Sequence, residues 1–135
     1  MIQPRVLADE ALDSLTLALR RFAQERDWEQ FHSPKNLAAA LTVEAAELLE
    51  HFQWLTEEQS RSLTAGKRAA VSEEIADVLL YLLQIADKLG IDVVAAAQQK
   101  LARNALKYPA AQARGNSAKY DELRRAQEEA NGGPS

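Results

Sequence analysis

The chain is 135 residues long, which predicts one domain with its own core. A net charge of −4 and a pI of about 5.2 argue against general affinity for nucleic acid or an anionic membrane, and the absence of Cys excludes a disulfide framework and thiol chemistry. Ala and Leu dominate an apolar fraction of 47% with few β-branched runs, so helices are expected.

No apolar run reaches about 18 residues, and Met1-Ile2-Gln3-Pro4 does not open a signal peptide, so the chain is expected to be soluble and cytoplasmic. Asp9 is placed to cap a first helix whose stripe, Leu12, Leu15, Leu19 and Phe22, recurs at helical spacing and ends near Arg26. Residues 27–35 read as a loop holding Trp28, Phe31 and His32. Ser33-Pro34 is then an N-cap followed by Pro at the first helical position. The second helix is expected to run to Leu55, with Leu37, Leu41, Leu48 and Leu55 as its apolar stripe. Thr56-Glu57-Glu58-Gln59 matches a capping box and predicts a short helix to about Leu63.

After a break at Thr64-Ala65-Gly66, a long helix is expected from about Lys67 to Leu89, closed by Gly90 as the residue just past its end. Val71, Ile75, Val78, Leu79, Leu82, Ile85, Ala86 and Leu89 form its broad apolar face. Ala76, Leu80 and Leu83 form a second strip that one small bundle would not bury alone, which points to oligomerisation. Asp92 is placed to cap a further helix ending before Pro109. On it Lys100, Asn104 and Lys107 share a side, with Arg103 adjacent, which suits phosphate or sugar oxygens or a plain solvated basic face. From Ala110 the periodicity fades. Arg114, Lys119 and Tyr120 sit in a Gly/Ser/Asn-containing stretch that could fold over a triphosphate, and residues 124–135 are expected to be a flexible tail.

Two acidic pairs stand out against this frame, Glu44 with Glu47 and Glu74 with Asp77. Acids three apart project from one side of a helix, so two helices can offer four carboxylates to one point. Glu44 falls in the middle of the Leu37–Leu55 stripe, Glu47 on its edge, His51 between them and Trp54 just beyond. Glu74, Asp77 and Tyr81 flank the long helix's apolar face, while Glu73 turns towards solvent. Clustered, partly buried acids raise one another's pKa and require shared protons or a bound cation. With oxygen donors and no Cys, Mg²⁺ fits the set, with Mn²⁺ as the alternative. A single E-x-x-E would read as a surface salt-bridge pattern; two pairs, each beside an apolar stripe, favour a site.

The paired E-x-x-E and E-x-x-D, with 26 residues between Glu47 and Glu74, resemble the motif of the all-α nucleoside triphosphate pyrophosphatases, the MazG-like superfamily. Arg26 to Leu37 (RDWEQFHSPKNL), Phe52-Gln53-Trp54, Asp77 to Tyr81 (DVLLY), Lys107-Tyr108-Pro109 and Lys119-Tyr120 look like its dCTP pyrophosphatase branch, and the likeness covers about residues 12 to 123. The resemblance implies an all-α, four-helix-bundle-type MazG-like domain over residues 1–123 that oligomerises, as a tetramer built from two dimers. It also implies a Mg²⁺-dependent pyrophosphohydrolase that cleaves a (deoxy)nucleoside triphosphate, dCTP or a modified dCTP first among them, to the monophosphate and pyrophosphate. Glu44, Glu47, Glu74 and Asp77 would be both metal ligands and catalytic residues. His32, Trp54, Tyr81, Lys100, Asn104, Lys107, Tyr108, Lys119 and Tyr120 would contact the nucleotide. Either one of the acids or the metal would activate the attacking water. Ala45-Ala46 between the first acids and a short link from Leu55 to Lys67 depart from the vertebrate pattern, two changes that would reshape the pocket mouth.

The chain lacks a G-x-x-x-x-G-K-[ST] loop and any evident Ser/His/Asp or Cys/His arrangement, which disfavours P-loop and covalent mechanisms. Three alternatives remain: a broad-specificity nucleotide pyrophosphatase, a ferritin-like di-iron bundle, and a helical scaffold without chemistry. Di-iron bundles need Glu-x-x-His on two helices, and the only His residues are His32 and His51, of which His51 does not follow a Glu by three.

Overall fold

The computed structural model describes residues 4–115, 117 and 120–132, with the side chains of residues 4–9, 120, 121 and 123 excepted. Its elements are α1 (Pro4–Glu25), a 3-10 turn (Glu29–Phe31), α2 (Pro34–Glu50), α3 (Glu57–Arg61), α4 (Ala65–Lys88), α5 (Val93–Lys107), α6 (Ala110–Ala113) and α7 (Tyr120–Asn131). The described residues are helical with no strand, as the composition requires. No helix among them is long and apolar enough to cross a membrane.

The chain forms two compact units, Met1–Val93 and Val94–Ser135. In the first, α4 is the central helix and packs mainly against α2 and secondarily against α1. Its core is Ala23 of α1, Leu37 of α2, and Val71, Leu83 and Ala86 of α4. Leu37, only 1% exposed, seats the start of α2, which is fixed by Ser33: its hydroxyl accepts from the Asn36 N–H, with Pro34 at the first helical position. The Thr56 capping box forms as expected, with both reciprocal hydrogen bonds present.

Two α-helix ends share a left-handed stop. At α4 the Ile91 N–H donates to Ala86 O and the Gly90 N–H to Asp87 O, with Gly90 at φ 65°. At α1 the Trp28 N–H donates to Ala23 O and the Asp27 N–H to Gln24 O, with Asp27 at φ 54°. An Asp in this region carries a steric cost of about 1–2 kcal/mol relative to right-handed backbone, and the turn it makes aims Trp28 back over α1.

Several boundaries and one face differ from the sequence expectation. α1 begins at Pro4, with Asp9 inside it, because Pro is tolerated in a first turn. α2 stops at Glu50, because Thr56 must be extended (φ −71°, ψ 163°) to cap α3, and residues 51–55 unwind to reach it. α4 starts two residues early, with Thr64 rather than Gly66 as the boundary: the Thr64 hydroxyl accepts from the Lys67 N–H.

The strip Ala76, Leu80 and Leu83 does not face away from the protomer as a unit. Leu83 is 3% exposed and in the core, and Leu80 lines a cavity between α1 and α4. The outward apolar strip is Ile75, Leu79 and Leu82, residues assigned to the core face from sequence. A helix wedged between two others buries residues on two sides, and a single-stripe reading cannot tell which side is left over.

In the second unit α5 ends where Pro109 caps α6, and the Tyr108 N–H still donates to Asn104 O at 2.8 Å. α7 occupies a stretch where apolar periodicity fades, but its Glu, Arg, Gln and Ala are strong helix formers, and Arg124 pairs with Glu128 one turn on at 3.5 Å.

Candidate metal centre and adjoining cavity

α2 and α4 bring the two acidic pairs together. Each of Glu44, Glu74 and Asp77 offers a carboxylate oxygen, and these oxygens lie within 4.8 Å of one another. Glu47, one turn after Glu44 on α2, lies close enough for its carboxyl to share a proton with that of Glu44. That shared proton, the burial of Glu44, and the negative charges of Glu47, Asp77 and Glu74 push the Glu44 carboxyl up to about 7. Glu73 is exposed and Glu74 half-buried, so the inward acid of α4 is the one the helical wheel selects.

Glu44 Oε2 and Glu74 Oε2 are buried without a hydrogen-bond partner. Leaving such an oxygen unpaired is costly, so two of them aimed into an oxygen-only cluster fit a hard divalent cation. His51, which caps the C-terminus of α2, places Nε2 3.7 Å from Glu74 Oε1.

Asp77 belongs to a second feature as well. It lines a cleft of about 370 Å³ between α1 and α4, so the cluster borders a partly open space. Leu15, Leu19 and Phe22 form the α1 wall, and Asp77, Leu80, Tyr81 and Gln84 the α4 wall. Trp28 and His32 close one end: Trp28 packs edge-on against Phe22 at 5.7 Å between ring centres and against His32 at 6.4 Å. Arg26 stacks over the Phe22 ring, 3.6 Å from its centre. The volume and the mostly apolar walls with a few polar groups suit a flat heterocycle.

Arg20 of α1 forks both oxygens of Asp87 on α4, Nε to Oδ2 at 2.8 Å and the second contact from its terminal nitrogen. The guanidinium holds the Asp87 carboxyl below its usual range. Lys88 lies 4.0 Å from Glu29, the first residue of the 3-10 turn between Trp28 and His32. Glu29 precedes His32 by three, but in a 3-10 turn rather than on a bundle helix.

Of the residues singled out from sequence, Glu44, Glu47, Glu74 and Asp77 meet, and His32 and Tyr81 share the cavity with Asp77. Trp54 does not line it: the side chain stands 88% exposed in the turn after α2. Lys100, Asn104, Lys107 and Tyr108 belong to the second unit, with Asn104 half-buried. Lys119 lies outside the described residues, and Tyr120 is described only as the first residue of α7. Sequence reasoning missed Phe22, Trp28 and Gln84 as cavity walls. The available signal was Phe22 and Trp28 flanking the turn that ends α1.

The profile of the MazG-like family matches residues 39–123, a span holding both acidic pairs. The chain is 42% identical over 117 residues to dCTP pyrophosphatase 1 of Homo sapiens, covering 85% of this chain and 69% of that one. It is 40% identical over 123 residues to dCTP pyrophosphatase 1 of Mus musculus, covering 90% and 72%. Among solved structures it superposes on a pyrophosphatase from Archaeoglobus fulgidus with a TM-score of 0.70 and 40% identity, over 73% of this chain and 93% of that one.

Proposed function

The chain belongs to the MazG-like family, and on that premise we propose that it is a nucleoside triphosphate diphosphatase that cleaves dCTP or a modified dCTP to the monophosphate and pyrophosphate. The observation that carries this reading is the opening of a cluster of carboxylates, two of whose buried oxygens lack partners, onto the α1–α4 cavity through Asp77. The similarity to dCTP pyrophosphatases of human and mouse supports the choice of nucleotide.

Glu44, Glu74 and Asp77, joined by Glu47, would hold Mg²⁺. Bound there, the ion supplies positive charge that neutralises the phosphate oxygens as the bond to the α-phosphorus breaks. The protein's own groups do the rest. The cavity takes the base, with Phe22 and Trp28 excluding water and His32 and Tyr81 presenting polar edges. With the base seated there and Asp77 shared by both features, the phosphates point at the cluster. The water that attacks the α-phosphorus gives its proton to a carboxylate oxygen of the same cluster. Lys100, Asn104, Lys107, Tyr108, Lys119 and Tyr120 are further candidates for the nucleotide's phosphates and sugar, and Trp54 for its base, on the family resemblance.

Ile75, Leu79 and Leu82, with Val43 and Leu49 of α2, leave large apolar side chains on the protomer surface, which supports assembly into a dimer and then a tetramer. The test of function is product release from dCTP, dTTP, dATP and dGTP with and without Mg²⁺. The expected result is pyrophosphate without orthophosphate, Mg²⁺-dependent, with kcat/KM highest for dCTP. Faster purine hydrolysis would overturn the base assignment, and no hydrolysis of any of the four would overturn the activity.

A further inference from the structure

The fold treats the two oxygens of Glu74 differently. Oε2 is buried with no partner, whereas Oε1 faces the imidazole of His51, with Nε2 at 3.7 Å. Among the described residues this is the one ion-pair contact found for Glu74. His51 is itself fixed: it caps α2, and its backbone N–H donates to Leu48 O at 3.3 Å. The two side chains are only 23% and 20% exposed, so an Nε2–H turned towards Oε1 acts in a setting of reduced dielectric. An imidazole can present an Nε2–H to Oε1 whether it is the cation or the matching neutral tautomer. No His joins the set of donor atoms within 4.8 Å of one another, so His51 stands behind Glu74 rather than among the ligands.

We infer that His51 is a positioning residue of the carboxylate cluster, holding Oε1 of Glu74 so that only Oε2 is offered inward. This rests on the cluster being a cation site, and it predicts which cation the site refuses. Ca²⁺ takes about six to eight oxygens and commonly uses both oxygens of one carboxylate, whereas Mg²⁺ and Mn²⁺ favour octahedral sets built from single oxygens. A Glu74 confined to one oxygen therefore selects against Ca²⁺. Groups that orient metal ligands from behind are worth about 10–100-fold in affinity.

The experiment is Mn²⁺ binding to the full chain without nucleotide, followed by the EPR signal of free Mn²⁺ and by competition with Ca²⁺ at fixed pH. Wild type, His51→Leu and His51→Gln are compared. Wild type should prefer Mn²⁺ over Ca²⁺. His51→Leu should lose about tenfold of that preference, and His51→Gln, whose amide N–H can reach the same oxygen, should stay near wild type. Equal preference in all three proteins would overturn the role of His51 and leave the cation site standing. A nitrogen coupling to bound Mn²⁺ that disappears in both variants would make His51 a ligand and overturn the inference too. Wild type that binds no Mn²⁺ at all would instead defeat the reading of the cluster, a failure recognisable because it precedes any comparison of variants.

Discussion

Glu44 shows how far a single residue's role follows from its place in a pattern. It interrupts the Leu stripe of α2 where an apolar residue would otherwise sit, so its burial among other acids was legible before any coordinates. Its raised proton affinity follows first from the adjacent Glu47 carboxyl and then from that burial and the other acids, and a pH dependence follows from it. A carboxyl raised to about 7 in the folded protein, against its ordinary value of about 4.5, binds a proton more tightly folded than unfolded between those limits. Without metal, stability should therefore fall as pH rises from about 4.5 to about 7. Mg²⁺ bound at the cluster would have to displace that proton, so the stabilisation it gives should grow over the same range, reaching about 2.7 kcal/mol at a hundredfold excess over Kd. Thermal melts at several pH values in chelator and in Mg²⁺ check both slopes, and Glu44→Gln should flatten them. Trp28 was less legible: Phe22 and Trp28 flank the turn that ends α1, but Trp28 becomes a cavity wall only because Asp27 adopts a left-handed turn.

At the scale of elements, caps written locally in the sequence were readable, as with Ser33-Pro34, Thr56 to Gln59 and Gly90, because each satisfies backbone groups through neighbours in the chain. The outward face of α4 was not, since it depends on where α1 and α2 both dock, and so Leu83 and Leu79 exchanged places between core and surface. The same docking creates the cavity, and the Arg20–Asp87 fork ties its two walls together near Gln84. Breaking it should loosen the cavity more than the acidic cluster. Arg20→Ala is expected to raise KM for the nucleotide with little change in kcat, and Arg20→Lys to recover only part, because an ammonium does not make the two-pronged contact. Exchanging the charges, Arg20→Asp with Asp87→Arg, should restore KM; a fall in kcat alone would show that the pair acts on the chemistry instead.

For the whole molecule, the large apolar side chains left on α2 and α4 predict self-association. Leu82→Asp, placing a charge on the outward strip, should shift the protein to a smaller assembly by light scattering at micromolar concentration, with helix content preserved; a wild type that is already monomeric would remove the idea. The central claim concerns where the nucleotide is cut. Hydrolysis of dCTP in ¹⁸O-labelled water with Mg²⁺, followed by mass spectrometry of the products, reads this directly. Attack at the α-phosphorus puts the label in the nucleoside monophosphate and leaves pyrophosphate unlabelled, which is the predicted result. Label in pyrophosphate, or orthophosphate as the labelled product, would contradict it.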